Sequence, residues 1–119
     1  MRFTESHEWV SVEGKLGTVG ITSYAQGELG EIVFVAFPKV GQELKAGEEA
    51  CVLESTKAAA DVYTPVSGTI VAINEALRAN PSLLNSQPET HGWLFQIELS
   101  NLKELEDLLV SAKYRELIS

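Results

Sequence analysis

Short apolar runs, each closed by a glycine or a proline, limit what this chain can fold into more than any other feature. Trp9, Val10 and Val12 alternate with polar residues before Val12-Glu13-Gly14-Lys15, which reads as a hairpin turn with Gly14 free to take a positive φ. Leu16 to Ile21 alternates again, and its Gly17 and Gly20 mark a bulge or a close backbone approach. Glu31 to Phe37 is rich in β-branched and aromatic residues and ends at Pro38. Its nearly continuous apolarity predicts a strand buried on both faces. Gly41 and Gly47 make two turns with a short strand between them. Ala50 to Leu53 and Asp61 to Pro65 are the two arms of a further hairpin. Val66-Ser67-Gly68 turns the chain into Thr69 to Asn74. Trp93, Phe95, Ile97 and Leu99 put one apolar face on a last strand. Strands this short and this regularly punctuated predict a mainly β chain, a small sandwich or flattened barrel. Gly47 to Leu53 and Gly68 to Ile73 resemble two halves of one design, too weakly to count as a repeat.

Helical signals are fewer. Thr22 or Ser23 is placed to cap a short helix near 22–30, with Ala25 and Leu29 on its apolar face and Gly30 as its stop. Single helical turns are predicted at 75–80, ending before Pro81, and at 81–85. Near the end, Asn101 is a good N-cap and Glu104 stands in the capping-box position. Leu102, Leu105, Leu109 and Ala112 fall on one side with Leu108 beside them. Lys103, Glu106, Asp107 and Lys113 fall on the other. This predicts one amphipathic helix over about 101–116, laid over a core sandwich of about 3–99.

A chain of 119 residues suits one domain spanning 1–119. At this size roughly two-thirds of the unfolded surface is buried, enough for a core without staples. The net charge of −8 argues against nucleic acid, whose binding requires cations to displace phosphate counterions, and fits partners with basic surfaces. The lone Cys51 excludes an internal disulfide and, in its apolar run, reads as an inert core residue. Met1-Arg2-Phe3-Thr4-Glu5 lacks a charged-then-apolar signal pattern, and no apolar run approaches a membrane span. The expected location is cytoplasmic.

Most enzyme signatures are missing. Two histidines, His7 and His91, and the absence of CxxC and HExxH patterns leave no metal-site signature. No GxGxxG, Walker loop or G-x-S-x-G elbow is present. The remaining unusual feature is Lys57. It follows an apolar strand and a polar tip, Glu54-Ser55-Thr56, and precedes Ala58-Ala59-Ala60, with no other lysine closer than Lys45. Such a lysine is either an ordinary solvated hairpin residue or a presented attachment point. An amine with a pKa of about 10.4 is mostly protonated at neutral pH, so attachment would need a ligase.

Glu54-Ser55-Thr56-Lys57-Ala58-Ala59-Ala60-Asp61, with Pro65 and Gly68, resembles the lipoylation motif of glycine cleavage system H proteins. Ser6-His7-Glu8-Trp9-Val10 is similar to that family's opening signature. Gly20-Ile21-Thr22, Ala25-Gln26 and Leu29 to Val35 are similar to its next block. Pro81 to Ser86, Pro88 and Gly92-Trp93-Leu94 are similar to its late one. The resemblance implies a barrel-sandwich hybrid of the lipoyl/biotinyl-domain kind. It implies lipoic acid in amide linkage on Lys57, put there by a lipoate ligase or transferase. It further implies a non-catalytic carrier. Such a carrier takes an aminomethyl group from the glycine decarboxylase (P protein) to the folate-dependent aminomethyltransferase (T protein). It passes electrons to the dihydrolipoyl dehydrogenase (L protein).

A loaded arm carries an ammonium, so the resemblance also implies a sheltering groove with carboxylates. Ser6, Glu8 and Asp61 are its candidates, and Glu54 and Asp61 are candidates for recognition by ligases and partners. Glu28 departs from the family, which often has histidine there; it too is a groove candidate. Thr90-His91-Gly92-Trp93 departs from the more acidic run usual before the Gly-Trp pair, which bears on docking. Other readings stay open at the level of sequence. One is an H-like protein that stores or relays lipoyl groups without glycine cleavage. Another is a biotinyl carrier, although Thr56 and Ala58 stand where such domains usually have methionine. The last is an unmodified binding domain.

Overall fold

The computed structural model describes residues 1–119. Nine strands form two antiparallel sheets. The larger carries, side by side, β1 (Arg2–Phe3), β2 (Glu8–Glu13), β3 (Leu16–Ile21), β9 (Phe95–Leu99), β8 (Gly68–Ile73) and β5 (Glu43–Leu44). The smaller has β6 (Glu49–Ser55) at its centre, between β4 (Ile32–Ala36) and β7 (Ala59–Tyr63). The β2–β3 hairpin closes through Gly14 at φ 61°, the only positive φ in its two-residue loop, as a type II′ turn requires. Val10, Val19, Ile70, Phe95 and Ile97 of the larger sheet meet Val35, Cys51, Leu53 and Val62 of the smaller in one buried cluster. Every second residue along these strands turns inward, which is why alternation in sequence becomes a shared core.

Gly20 is a close approach rather than a loose spot. A Cβ there would lie 2.8 Å from the indole of Trp9, which stands opposite it in the β2–β3 register. The helix near 22–30 forms as α1 (Ser23–Leu29). The Thr22 hydroxyl accepts the Ala25 N–H, and Gly30 stops the helix at φ 81°. The turns α2 (Ala76–Ala79) and α3 (Leu83–Ser86) each bury one leucine, Leu77 and Leu84.

Two expectations change. β4 is not buried on both faces. Ile32 and Val35 are buried, while Val33 and Phe34 are 50% and 53% exposed. β4 is an edge strand, and a bulge between Ile32 and Phe34 turns two successive side chains outward. The apolar run therefore contains a surface strip.

The C-terminal helix exists but is shorter and later than 101–116. Asn101 caps a 3-10 turn, Leu102–Asp107, by accepting the Lys103 N–H. The chain is then extended, and Leu109 exchanges two backbone hydrogen bonds with Phe3, each 2.8 Å. Only afterwards does α4 (Ser111–Ile118) begin. Glu104 does not close a capping box; its carboxylate accepts the N–H and hydroxyl of Ser67, both at 2.7 Å. Leu105 and Leu108 cover the main core. Leu109 joins a second cluster around Phe3, Trp9 and Tyr114. Leu102 and Ala112 are exposed. One straight helical stripe cannot cover two separate apolar patches, so the segment breaks between them.

Candidate functional site

Lys57 sits at the tip of the β6–β7 hairpin, exposed and without an ion pair. The tip is built by local hydrogen bonds. Ser55 Oγ accepts the N–H groups of Lys57 and Ala58, both at 3.1 Å, and the Ser55 N–H donates to the Ala58 carbonyl at 2.8 Å. The Thr56 N–H donates to the Glu31 carbonyl, tying the tip to the start of β4. Gly30 lies against the lysine stem; a Cβ there would stand 3.3 Å from Lys57 Cε. The tip thus has a fixed backbone and a free amine.

Beside it, between α1 and the edge strand β7, is a cavity of about 320 Å³. Ser6, Glu8, Glu28 and Asp61 all line it, together with His7 and Tyr24. The structure brings these four candidates together from three separate stretches of chain. Glu54 is not among the lining residues; it is exposed on β6, opposite Phe34 and Ala59. Lys57 does not line the cavity, but Gly30, which it touches, directly follows the lining residue Leu29.

Glu8 is the buried member, 3% exposed. Its Oε1 accepts the hydroxyls of Thr4 and Ser6, both at 2.6 Å, and its Oε2 accepts the Tyr63 N–H at 3.2 Å. Those donors hold the carboxylate in place without neutralising it. The two ion pairs of the chain, Arg78–Glu75 and Lys113–Glu116, are both elsewhere. Glu8, Glu28 and Asp61 therefore face one cavity with no cationic side chain paired to them.

A sixfold hydrogen-bonded frame surrounds the cavity wall. Asn85 Oδ1 accepts the Ile32 N–H at 2.9 Å, and its Nδ2 donates to the Gly30 carbonyl at 2.7 Å and to Gln26. Glu89 accepts the Ser23 N–H at the start of α1. The Tyr114 hydroxyl stands 2.8 Å from His7 Nδ1 and 2.6 Å from Thr22 Oγ1. Sequence reasoning assigned no role to His7, Tyr24 or Tyr114. Tyr114, the one aromatic residue of the C-terminal segment, was the available signal. His91 bonds Gln87 and does not line the cavity. Cys51 is buried and pushed up to about 12 by desolvation, in keeping with an inert core thiol.

A free lysine on a rigid hairpin tip, beside a cavity lined by Glu8, Glu28 and Asp61, is the geometry expected of a swinging-arm carrier domain. The family model for the glycine cleavage H-protein matches residues 1–119. The chain is 54% identical to a glycine cleavage system H protein of Thermotoga maritima, covering 97% of this chain and 93% of that one. It is 52% identical to one of Bartonella tribocorum, covering 98% and 95%. A crystal structure of such a protein from Mycobacterium marinum superposes with a TM-score of 0.87 at 35% identity, covering 96% of this chain and 92% of that chain. The chain belongs to the glycine cleavage H-protein family. Members are non-catalytic lipoyl carriers that work with the P, T and L proteins, which separates this chain from biotinyl carriers and unmodified domains. No helix is long and apolar enough to cross a membrane.

Proposed function

We propose that Lys57 is the lipoyl attachment site of this carrier and that the cavity beside it shelters the loaded arm. The carrying observation is the pairing of an exposed, unpaired lysine with a neighbouring cavity that three carboxylates line. The residues present suit the group. Lys57 has an accessible amine, Ala58 and Ala59 add no bulk beside it, and Gly30 leaves room along its stem. When bound, the dithiolane supplies the redox and group-carrying chemistry. Glu8, held by three donors, presents a fixed anion to an ammonium. Asp61 and Glu28 add negative charge at the rim, and the apolar members Ile21, Leu29 and Val62 keep water from the interior. Glu54 and Asp61, exposed on either arm of the hairpin, mark this lysine for the ligase among the others. The whole chain acts as one carrier domain. Its site of action is the cytoplasm, where a lone unpaired cysteine is at home.

Expression with a lipoate ligase and lipoate tests the attachment. Intact mass should rise by one lipoyl group, and Lys57→Ala should abolish the gain; a gain that survives the substitution would refute the assignment. Reconstitution with the decarboxylase and glycine should then load the lipoylated protein. Absence of glycine-dependent loading would leave a lipoyl store rather than a glycine-cleavage shuttle. Lipoylation that proceeds equally in Glu54→Ala and Asp61→Ala would remove their recognition role.

A further inference from the structure

His7 lines the cavity in a conformation that costs energy. It is the only residue other than glycine with a positive φ, 70°. Its ring is fixed on two sides. Tyr24 lies against it with the ring centroids 4.6 Å apart, and the Tyr114 hydroxyl is 2.8 Å from Nδ1.

The direction of the hydrogen bonds follows from counting hydrogens. Thr22 is fully buried, and its Oγ1 already accepts the Ala25 N–H. The Tyr114 oxygen, 2.6 Å away, is the only acceptor within reach of the Thr22 hydroxyl hydrogen. Thr22 therefore donates to Tyr114, and the single phenol hydrogen of Tyr114 goes to His7 Nδ1. Burial raises the Tyr114 phenol above its ordinary range, so that hydrogen stays in place. The opposite arrangement would turn both bonds round and strand a buried hydroxyl. With Nδ1 accepting, the neutral ring carries its hydrogen on Nε2, and Nε2 has no partner in the protein.

This matters because of what else faces the cavity. Glu8, Glu28 and Asp61 offer acceptors, and the Ser6 hydroxyl already donates to Glu8. The side-chain donors left are the Tyr24 hydroxyl and His7 Nε2–H. Because Lys57 itself lies outside the cavity, what enters is the distal end of the arm. We propose that His7, held by Tyr114 as its Nε2–H tautomer, is a positioning residue that donates to a sulfur of the lipoyl arm while the carboxylates hold the ammonium. The inference rests on the storage reading above. A neutral donor suits the task, since an imidazolium would repel the ammonium that the carboxylates attract.

Nitrogen-15 spectra of the two histidine rings in the lipoylated protein test this, with His91→Gln assigning the signals. His7 should show Nε2 protonated before loading, and Tyr114→Phe should bring it to a mixture of tautomers. Loading with glycine and the decarboxylase should move the Nε2 resonance. In His7→Ala the loaded arm should be lost roughly fivefold faster, the scale of one net hydrogen bond. His7→Gln, which keeps an N–H donor, should restore most of its lifetime. An Nδ1–H tautomer in the wild-type protein would overturn the proposal. So would an Nε2 resonance that stays fixed on loading while the Asp61 carboxyl resonance moves; the storage reading would then stand alone. If neither resonance moves, the storage reading falls with it.

Discussion

Glu8 of β2 accepts the backbone N–H of Tyr63 of β7 at 3.2 Å, so one buried carboxylate joins the two sheets where the cavity opens. β7 is an edge strand, and this bond occupies an N–H that no neighbouring strand takes. The same carboxylate thus serves the fold and the site.

Glu8→Ala should cost about 2–4 kcal/mol, since it leaves the Tyr63 N–H and two hydroxyls without their charged acceptor. Glu8→Gln should cost less, because one oxygen can still take the Thr4 and Ser6 hydroxyls. Its amide would meet the Tyr63 N–H donor to donor. Urea unfolding checks the ranking; equal losses for the two variants would refute the bonding described.

Asn85 connects the end of α1 to β4 through three hydrogen bonds. Asn85→Ala should destabilise the protein by about 2–3 kcal/mol. It should also speed amide hydrogen exchange in α1 before global unfolding. Uniform exchange across all strands would argue against a local role.

Glu28 carries one of the cavity's three carboxylates on an exposed helix position. Glu28→Gln should shorten the lifetime of the loaded arm by roughly two- to threefold, and added salt should shrink the difference. Glu28→His should shorten it further below the pH at which that histidine loses its charge. A lifetime that lengthens in either variant would contradict electrostatic holding.

Cys51 makes stability fall at alkaline pH. Its thiol is raised from 9.0 to about 12 by burial, so the folded state holds a proton that the unfolded state releases. Its contribution is complete below pH 9 and is lost as pH rises towards 12, at up to about 1.4 kcal/mol per pH unit. Comparing Cys51→Ala with the parent between pH 8 and pH 10.5, roughly the window set by that shift, isolates this slope from other groups. Parallel curves would exclude it.

Much of the β architecture was legible because Gly and Pro punctuation survives any tertiary context. Gly14, Gly41 and Gly47 take positive φ at the turns read from sequence, and Gly30 does so at the helix stop read there. The β4 strip was not legible, because an apolar run looks the same whether both faces are buried or a bulge turns Val33 and Phe34 outward. The leucines after Asn101 fit one helical stripe, yet Leu109 is drawn to Phe3, 106 positions away. Ser6, Glu8, Asp61 and Glu28 entered through family resemblance, and the structure collects them at one cavity. The bond between His7 and Tyr114 was not legible because it spans 107 positions and has no periodic trace.

The bulge in β4 has one more consequence, for colloidal behaviour. A straight outer strand displaying Val33 and Phe34 would offer another copy a ready seam for strand addition. The kink at Ile32–Phe34 breaks the even spacing of N–H and C=O groups along that seam, so stacking copies cannot keep step. The uncovered Val33 and Phe34 therefore sit on an edge that is a poor template for strand addition.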